Sequence, residues 1–222
     1  MGIKKLNFLV LFLIGFEVTS ASSSKTLPHD VIHFDVPYGE LSAPVVDSSP
    51  VVRLVDPVQR IGCSAFIVDD NYAITAAHCL NSSGSLPTYD IKLFLNNTNT
   101  YVAAKAAGYD TNTDMGLLTG DFHELSKTKV NLTSDGFAGN GPYIACGYPR
   151  GQKVLACTQL VVDGTSLDYI MAQSHFHHGM SGGAVIDTSN HTAVGIISAM
   201  DDAGEAYVVP LIGFLGVFRG LD

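Results

Sequence analysis

The chain has 222 residues, 46% of them hydrophobic and only 15% charged, with a formal net charge of -9. A surplus of acid repels a polyphosphate backbone, so nucleic acid is not expected as a partner. The length suits one large domain or two small ones with substantial cores.

Lys4 and Lys5 precede an apolar run, residues 8–16, which ends at Glu17 and the small residues Ser20 and Ala21. That is the pattern of a secretory signal peptide, residues 1–21. Nine apolar residues are too few for a hydrocarbon core of roughly 30 Å. No stable membrane insertion is therefore expected after signal removal, and the mature chain is expected to be secreted. Its charge would be -10, because Lys4, Lys5 and Glu17 leave with the signal. Residues 22–50, rich in Ser, Pro and acidic side chains, suggest an extended arm or propeptide.

From residue 51 the pattern changes to short runs of β-branched and aromatic residues bounded by Gly, Asn, Asp or Pro: 51–55, 64–68, 73–75, 91–95 and 101–103. The rhythm resumes at 143–146, 154–162, 169–172, 183–186, 193–198 and 206–209. Short strands at regular spacing predict an all-β barrel or sandwich. The polar stretch 122–135 separates the two groups as a linker, and only 211–221 has the makings of a short helix, weakened by Gly213, Gly216 and Gly220. The sequons at Asn81, Asn96, Asn131 and Asn190 mark candidate glycosylation sites on exposed loops.

Four cysteines, Cys63, Cys79, Cys146 and Cys157, include no Cys-x-x-Cys pair. In an exported chain an even number favours disulfides over zinc. Three imidazoles, His175, His177 and His178, are of a ligand type that suits zinc or copper, but alternation along an extended loop divides them between two faces. Neither metal nor cofactor is expected.

Three segments carry the chemistry, in the order histidine, aspartate, serine, separated by 36 and 67 residues. The first runs from Gly62 through Thr75-Ala76-Ala77-His78-Cys79, the second is Thr113-Asp114-Met115-Gly116-Leu117-Leu118, and the third is Gly179-Met180-Ser181-Gly182-Gly183-Ala184-Val185. Together they resemble the chymotrypsin-like serine proteases over residues 51–210. The resemblance implies two antiparallel six-stranded β-barrels with a short C-terminal helix, the first barrel (51–125) carrying His78 and Asp114 and the second (126–222) carrying Ser181. It implies peptide-bond hydrolysis by a monomer acting on polypeptide substrates.

By that resemblance His78 is the general base, Asp114 orients it and Ser181 is the nucleophile; Asp110, four residues from Asp114 and without an apolar strand behind it, is the fallback carboxylate. A serine hydroxyl is weak at neutral pH and needs a base within reach, and the glycines let the backbone turn sharply enough to present it. The N–H groups of Gly179 and Ser181 form the oxyanion hole, where one donor typically contributes about 2.7–4 kcal/mol. The same match pairs Cys63 with Cys79. Cys146 and Cys157, flanking the hairpin loop 147–151, then pair across that hairpin. The primary pocket is expected to be lined by His175 and Phe176 and by Ser198 and Met200, with Ser198 beside Asp114 and offering its backbone to an extended substrate.

Departures from the family matter as well. No Ile-Val-Gly-Gly string exists, and Met180 stands where trypsin-like zymogens place the aspartate that pairs with a new N-terminus. The chain looks closer to the bacterial and viral branch, to which Tyr207-Val208-Val209-Pro210 is also similar; its pocket is expected to be preformed or gated by residues 22–50. With His175 where trypsin has an aspartate, cleavage after Lys or Arg is not expected. A catalytically silent homologue serving as a binding module usually loses a triad residue, and none is missing. An esterase of the Gly-x-Ser-x-Gly type places its acid after the serine, whereas Asp114 precedes Ser181.

Overall fold

A computed structural model of the chain describes residues 50–80, 84–95, 99–125, 129–133, 136–137, 141–165, 169–201 and 205–212. The signal, almost all of the arm, the sequon residues Asn81 and Asn96 and the expected C-terminal helix beyond 212 lie outside these.

The first six strands are β1 (Val51–Val55), β2 (Gly62–Ile67), β3 (Tyr72–Ala76), β4 (Ile91–Phe94), β5 (Tyr101–Asp110) and β6 (Met115–Gly120). They pair in the order β1-β2-β3-β6-β5-β4 and close into a barrel through β1–β4. Strands rich in Val, Ile and Phe suit a pleated surface with one buried face, and here Leu54, Phe66, Ile74, Ile91, Leu93 and Leu118 fill the interior, all fully buried. The turn after β1 is tied by Asp56, whose Oδ1 accepts from the amides of Val58 and Gln59 at 2.8 Å each and whose Oδ2 accepts from Tyr89 at 2.7 Å. A fully buried carboxylate needs such donors.

β7 (Asn131–Leu132), β8 (Tyr143–Gly147), β9 (Ala156–Thr165), β10 (Ile170–Gln173), β11 (Ala184–Asp187), β12 (Thr192–Met200) and β13 (Glu205–Pro210) make the second body. Its order is β11-β8-β9-β10-β13-β12, closed by β11–β12 into a second six-stranded antiparallel barrel, with β7 added parallel to β12. Tyr143, Leu160, Ile170, Phe176, Met180, Val185, Ile197 and Val208 form its core. Among the described residues no helix is long and apolar enough to cross a membrane.

Two elements differ from expectation. The run at 101–103 extends to Asp110, where it pairs with the apolar strand that follows Asp114, Met115–Gly120. Residues 104–110 are mostly Ala and Gly, which have little strand preference. They are extended because β5 pairs with β6 from Ala104↔Gly120 to Asp110↔Met115, with a bulge between Ala106 and Gly108. The expected linker contains β7, a two-residue addition to the second sheet.

Candidate active site

Strand register brings histidine and aspartate together. Ala76 at the end of β3 pairs with Met115 at the start of β6, so His78, two residues past one strand end, faces Asp114, one residue before the other. The main chain locks them further: the amide of Ala77 donates to the Asp114 carbonyl at 3.0 Å, and the amide of His78 donates to Asp114 Oδ1 at 3.0 Å. His78 Nδ1 lies 3.1 Å from Oδ1 and 3.0 Å from Oδ2. Asp114 has φ of +49°, a left-handed backbone that costs a non-glycine residue energy and persists only where surrounding contacts over-determine it.

The carboxylate is 8% exposed and the imidazole 37%. Burial raises the Asp114 pKa, but the hydrogen bonds and charge of His78, with the Ser198 hydroxyl, outweigh it and hold the group below the ordinary aspartate value. Burial opposes the His78 imidazolium, yet the hydrogen bond and charge of Asp114 prevail and raise the histidine above its usual value. Nδ1 therefore carries a proton held on Asp114, which leaves Nε2 as the basic nitrogen. Ser198 Oγ donates to Asp114 Oδ2 at 2.5 Å from the second barrel. A β-carbon on Gly116 would come within 2.7 Å of Leu80 Cδ1.

Ser181 sits in a loop just before β11 that is pinned on every side. Gly183 donates to the Met180 carbonyl at 2.9 Å, Gly182 to Ile197 at 2.7 Å and Met180 to His177 at 3.0 Å. A β-carbon on Gly182, at φ +81°, would fall 2.3 Å from the Ser64 carbonyl; one on Gly183 would fall 2.1 Å from that of Cys146. Met180, fully buried, anchors the loop in the second core. An apolar plug thus occupies the position where an ion pair would otherwise be needed.

The amides of Gly179 and Ser181 donate to no group among the described residues. Their orientation follows from the preceding carbonyls. His178 C=O accepts from the Arg150 amide, and Met180 C=O accepts from Gly183. In a trans peptide the N–H points opposite to its C=O, so both free donors are directed away from those bonds. Two unpaired amides of this kind suit a developing oxyanion.

Across the barrel interface the Ser64 amide donates to the Ser181 carbonyl at 2.8 Å, and Cys79 Sγ lies 3.8 Å from the same oxygen. The Ser181 loop is therefore seated against the residue that follows His78. The Ser181 hydroxyl makes no hydrogen bond among the described residues; such contacts commonly tighten only when substrate binds.

His175 is exposed, His177 half-buried and His178 exposed, whereas Phe176 is 3% exposed and lies within the second core. Met200 packs partly against that core. Burial, then the charges of Arg150, His175 and His178, lower the His177 pKa. Ser198 falls where the β12–β13 register shifts between Ile197 and Ala199, which leaves its backbone outside the ladder. Cys63–Cys79 and Cys146–Cys157 are both disulfides. Cys63, His78 and Cys79 present their donor atoms within 4.8 Å of one another, but the two sulfurs are bonded to each other and have no thiolate for a metal. Asn131 and Asn190 are exposed.

Ser64, Thr75 and Tyr148 were not legible as site residues. The Thr75 hydroxyl donates to the Ser64 carbonyl at 2.7 Å, and Tyr148 donates its amide to Ser64 Oγ at 2.8 Å. The only hint in the sequence is that Ser64 and Thr75 are polar in otherwise apolar strands.

A family model for the trypsin-like peptidase domain matches residues 63–196. Among solved structures the chain is similar to the Rv3671c protease from M. tuberculosis in its active form, with a TM-score of 0.62 and 19% identity over 78% of this chain and 83% of that one. It is also similar to the serine endoprotease from Yersinia pestis, with a TM-score of 0.65 and 21% identity over 78% and 63%. The HtrA-type protease AlgW with decapeptide gives a TM-score of 0.62 and 21% identity over 78% and 64%. These identities speak to fold alone. No curated protein matches the chain by sequence.

Proposed function

The chain belongs to the trypsin-like peptidase domain family and is a serine endopeptidase, and from that premise we propose that it is secreted and cleaves polypeptides through an acyl-enzyme on Ser181. His78 takes the hydroxyl proton at Nε2 as Ser181 Oγ attacks the scissile carbonyl, and returns it to the leaving amine. Asp114 holds the tautomer and stabilises the imidazolium. The amides of Gly179 and Ser181 receive the negative charge of the tetrahedral intermediate. A water activated by the same imidazole then releases the acyl group. No resident metal or cofactor enters this chemistry.

The observation that carries the proposal is the Asp114 carboxylate, gripped by three donors from His78 and Ser198, facing a loop with two unpaired amides. Ser198 has no partner residue across β13 at the register shift, and an extended substrate pairs with the backbone there. Residues 1–21 supply the export signal, and exposed Asn131 and Asn190 are the described positions open to glycosylation.

A fluorophosphonate probe tests the assignment directly. Labelling of Ser181 in the wild type, lost in Ser181→Ala, is expected. Labelling that persists after the substitution would overturn it.

A further inference from the structure

Every polar group of Ser64 is engaged at the junction between the barrels, although it belongs to the barrel that does not carry the nucleophile. Its amide donates to the Ser181 carbonyl at 2.8 Å, and its carbonyl accepts the Thr75 hydroxyl at 2.7 Å. Its hydroxyl accepts from the Tyr148 amide at 2.8 Å and donates to the Gly179 carbonyl at 2.7 Å. The residue is fully buried, so no water can substitute for a lost partner without new space.

The placement of the last bond matters most. Two peptide planes carry the proposed oxyanion donors: the one joining His178 to Gly179, and the one joining Met180 to Ser181. Each is fixed from behind, the first by the Arg150 amide and the second by the Gly183 amide. Between them lies the Gly179–Met180 peptide, held at both ends: its N–H donates to the His177 carbonyl at 3.0 Å, and its carbonyl accepts, among the described residues, from the Ser64 hydroxyl alone. Gly179 has φ of +89° and no side chain to resist rotation. Its bare Cα lies against Tyr148, whose carbonyl would be 2.5 Å from any β-carbon there. Steric contact thus positions Gly179, while two hydrogen bonds, from the Ser64 hydroxyl at the carbonyl and to His177 at the N–H, orient the peptide that follows it.

We infer that the Ser64 hydroxyl is a positioning residue for the oxyanion hole: by bridging the Tyr148 amide to the Gly179 carbonyl, it holds the central peptide so that both flanking N–H groups converge. The inference rests on the assignment of Ser181 as nucleophile. The hole acts on charge that exists only after Oγ has attacked, so Ser64 affects the transition state and leaves ground-state binding alone. Because a donor is misaimed and not deleted, the loss on removing the hydroxyl is smaller than the roughly 10²–10³-fold for a deleted donor.

The test is Ser64→Ala, assayed below its melting temperature on a peptide that the wild type cleaves. We expect kcat to fall about ten- to a hundredfold with KM within about threefold. Affinity for the matching peptidyl aldehyde should fall by a similar factor. In that adduct Oγ bonds to the carbonyl carbon, the hydroxyl proton passes to His78 and the carbonyl oxygen becomes the oxyanion. Non-covalent binding of the intact peptide to Ser181→Ala should not change when Ser64→Ala is added. A residue that only stabilises the fold would lower the melting temperature and leave this split absent. A wild-type kcat, or a loss carried by KM and ground-state binding, overturns the inference.

Should Ser64→Ala fail to fold, Ser64→Cys, close in size and weak in hydrogen bonding, takes the same three measurements with a smaller loss in the same direction. Failure of both to fold would make Ser64 a folding determinant and would overturn the inference too. Fluorophosphonate labelling of the wild type separates the two levels. Without it the nucleophile assignment falls and Ser64 with it; with it, an unaffected Ser64→Ala sinks the positioning role alone.

Discussion

The Ser198 hydroxyl, from the second barrel, donates at 2.5 Å to the same Asp114 oxygen that lies 3.0 Å from His78 Nδ1 in the first. One carboxylate therefore reports on both the base and the packing of the barrels. A hydrogen bond to a charged group contributes about 1.5–3 kcal/mol. Ser198→Ala should destabilise the fold by that amount in a denaturant titration and should raise the Asp114 pKa, since the hydroxyl is one of the groups holding it down.

The acid limb of kcat/KM should have its midpoint above 6.5, the ordinary histidine value, because burial lowers the His78 pKa less than the Asp114 hydrogen bond and charge raise it. Asp114→Asn should shift that limb down and reduce kcat by about 10⁴-fold. A midpoint at or below 6.5 in the wild type would contradict the described pair.

Stability should run opposite to activity across that limb. A raised histidine pKa contributes stability that is complete below the unfolded value of 6.5 and is lost as pH rises through the folded one. The lowered Asp114 contributes stability present above 3.8 and lost as pH falls through its folded value. Melting temperatures of wild type and Asp114→Asn should therefore differ most between pH 3.8 and 6.5; a difference that keeps growing above the activity limb would exclude this coupling.

The Cys63–Cys79 bridge spans 16 residues and ends beside His78. Loop-closure entropy gives it about 3 kcal/mol. The Cys63→Ala, Cys79→Ala double substitution should lose that stability in chemical denaturation. An unchanged midpoint would mean that the unfolded chain is not constrained by the bridge.

Cleavage profiling by mass spectrometry on a denatured protein mixture should show no preference for Lys or Arg before the cut. His175 stands where trypsin has an aspartate, so by that alignment no carboxylate is offered there to a cationic side chain. Enrichment of Lys or Arg at that position would refute the placement of the pocket.

Motif chemistry was legible because it is local. The strings around His78, Asp114 and Ser181 each encode a turn and its functional group within a few residues, and the strand rhythm follows from a period of two along the chain. The β5–β6 pair was harder. Its Ala- and Gly-rich half has little propensity of its own and is extended because its partner is.

The amino-acid order by itself showed that short strands dominate, and through its resemblance to the chymotrypsin-like family it pointed to the side chains proposed for the chemistry and to the Cys63–Cys79 bridge. Tertiary structure decided how the site is held. Tyr148 meets Ser64 across 84 residues and Ser198 meets Asp114 across 84, while Ser64 reaches Gly179 across 115. Contacts at such separations follow no period or local propensity; they exist because two barrels close independently, and burial at their junction then requires each polar group to find a partner.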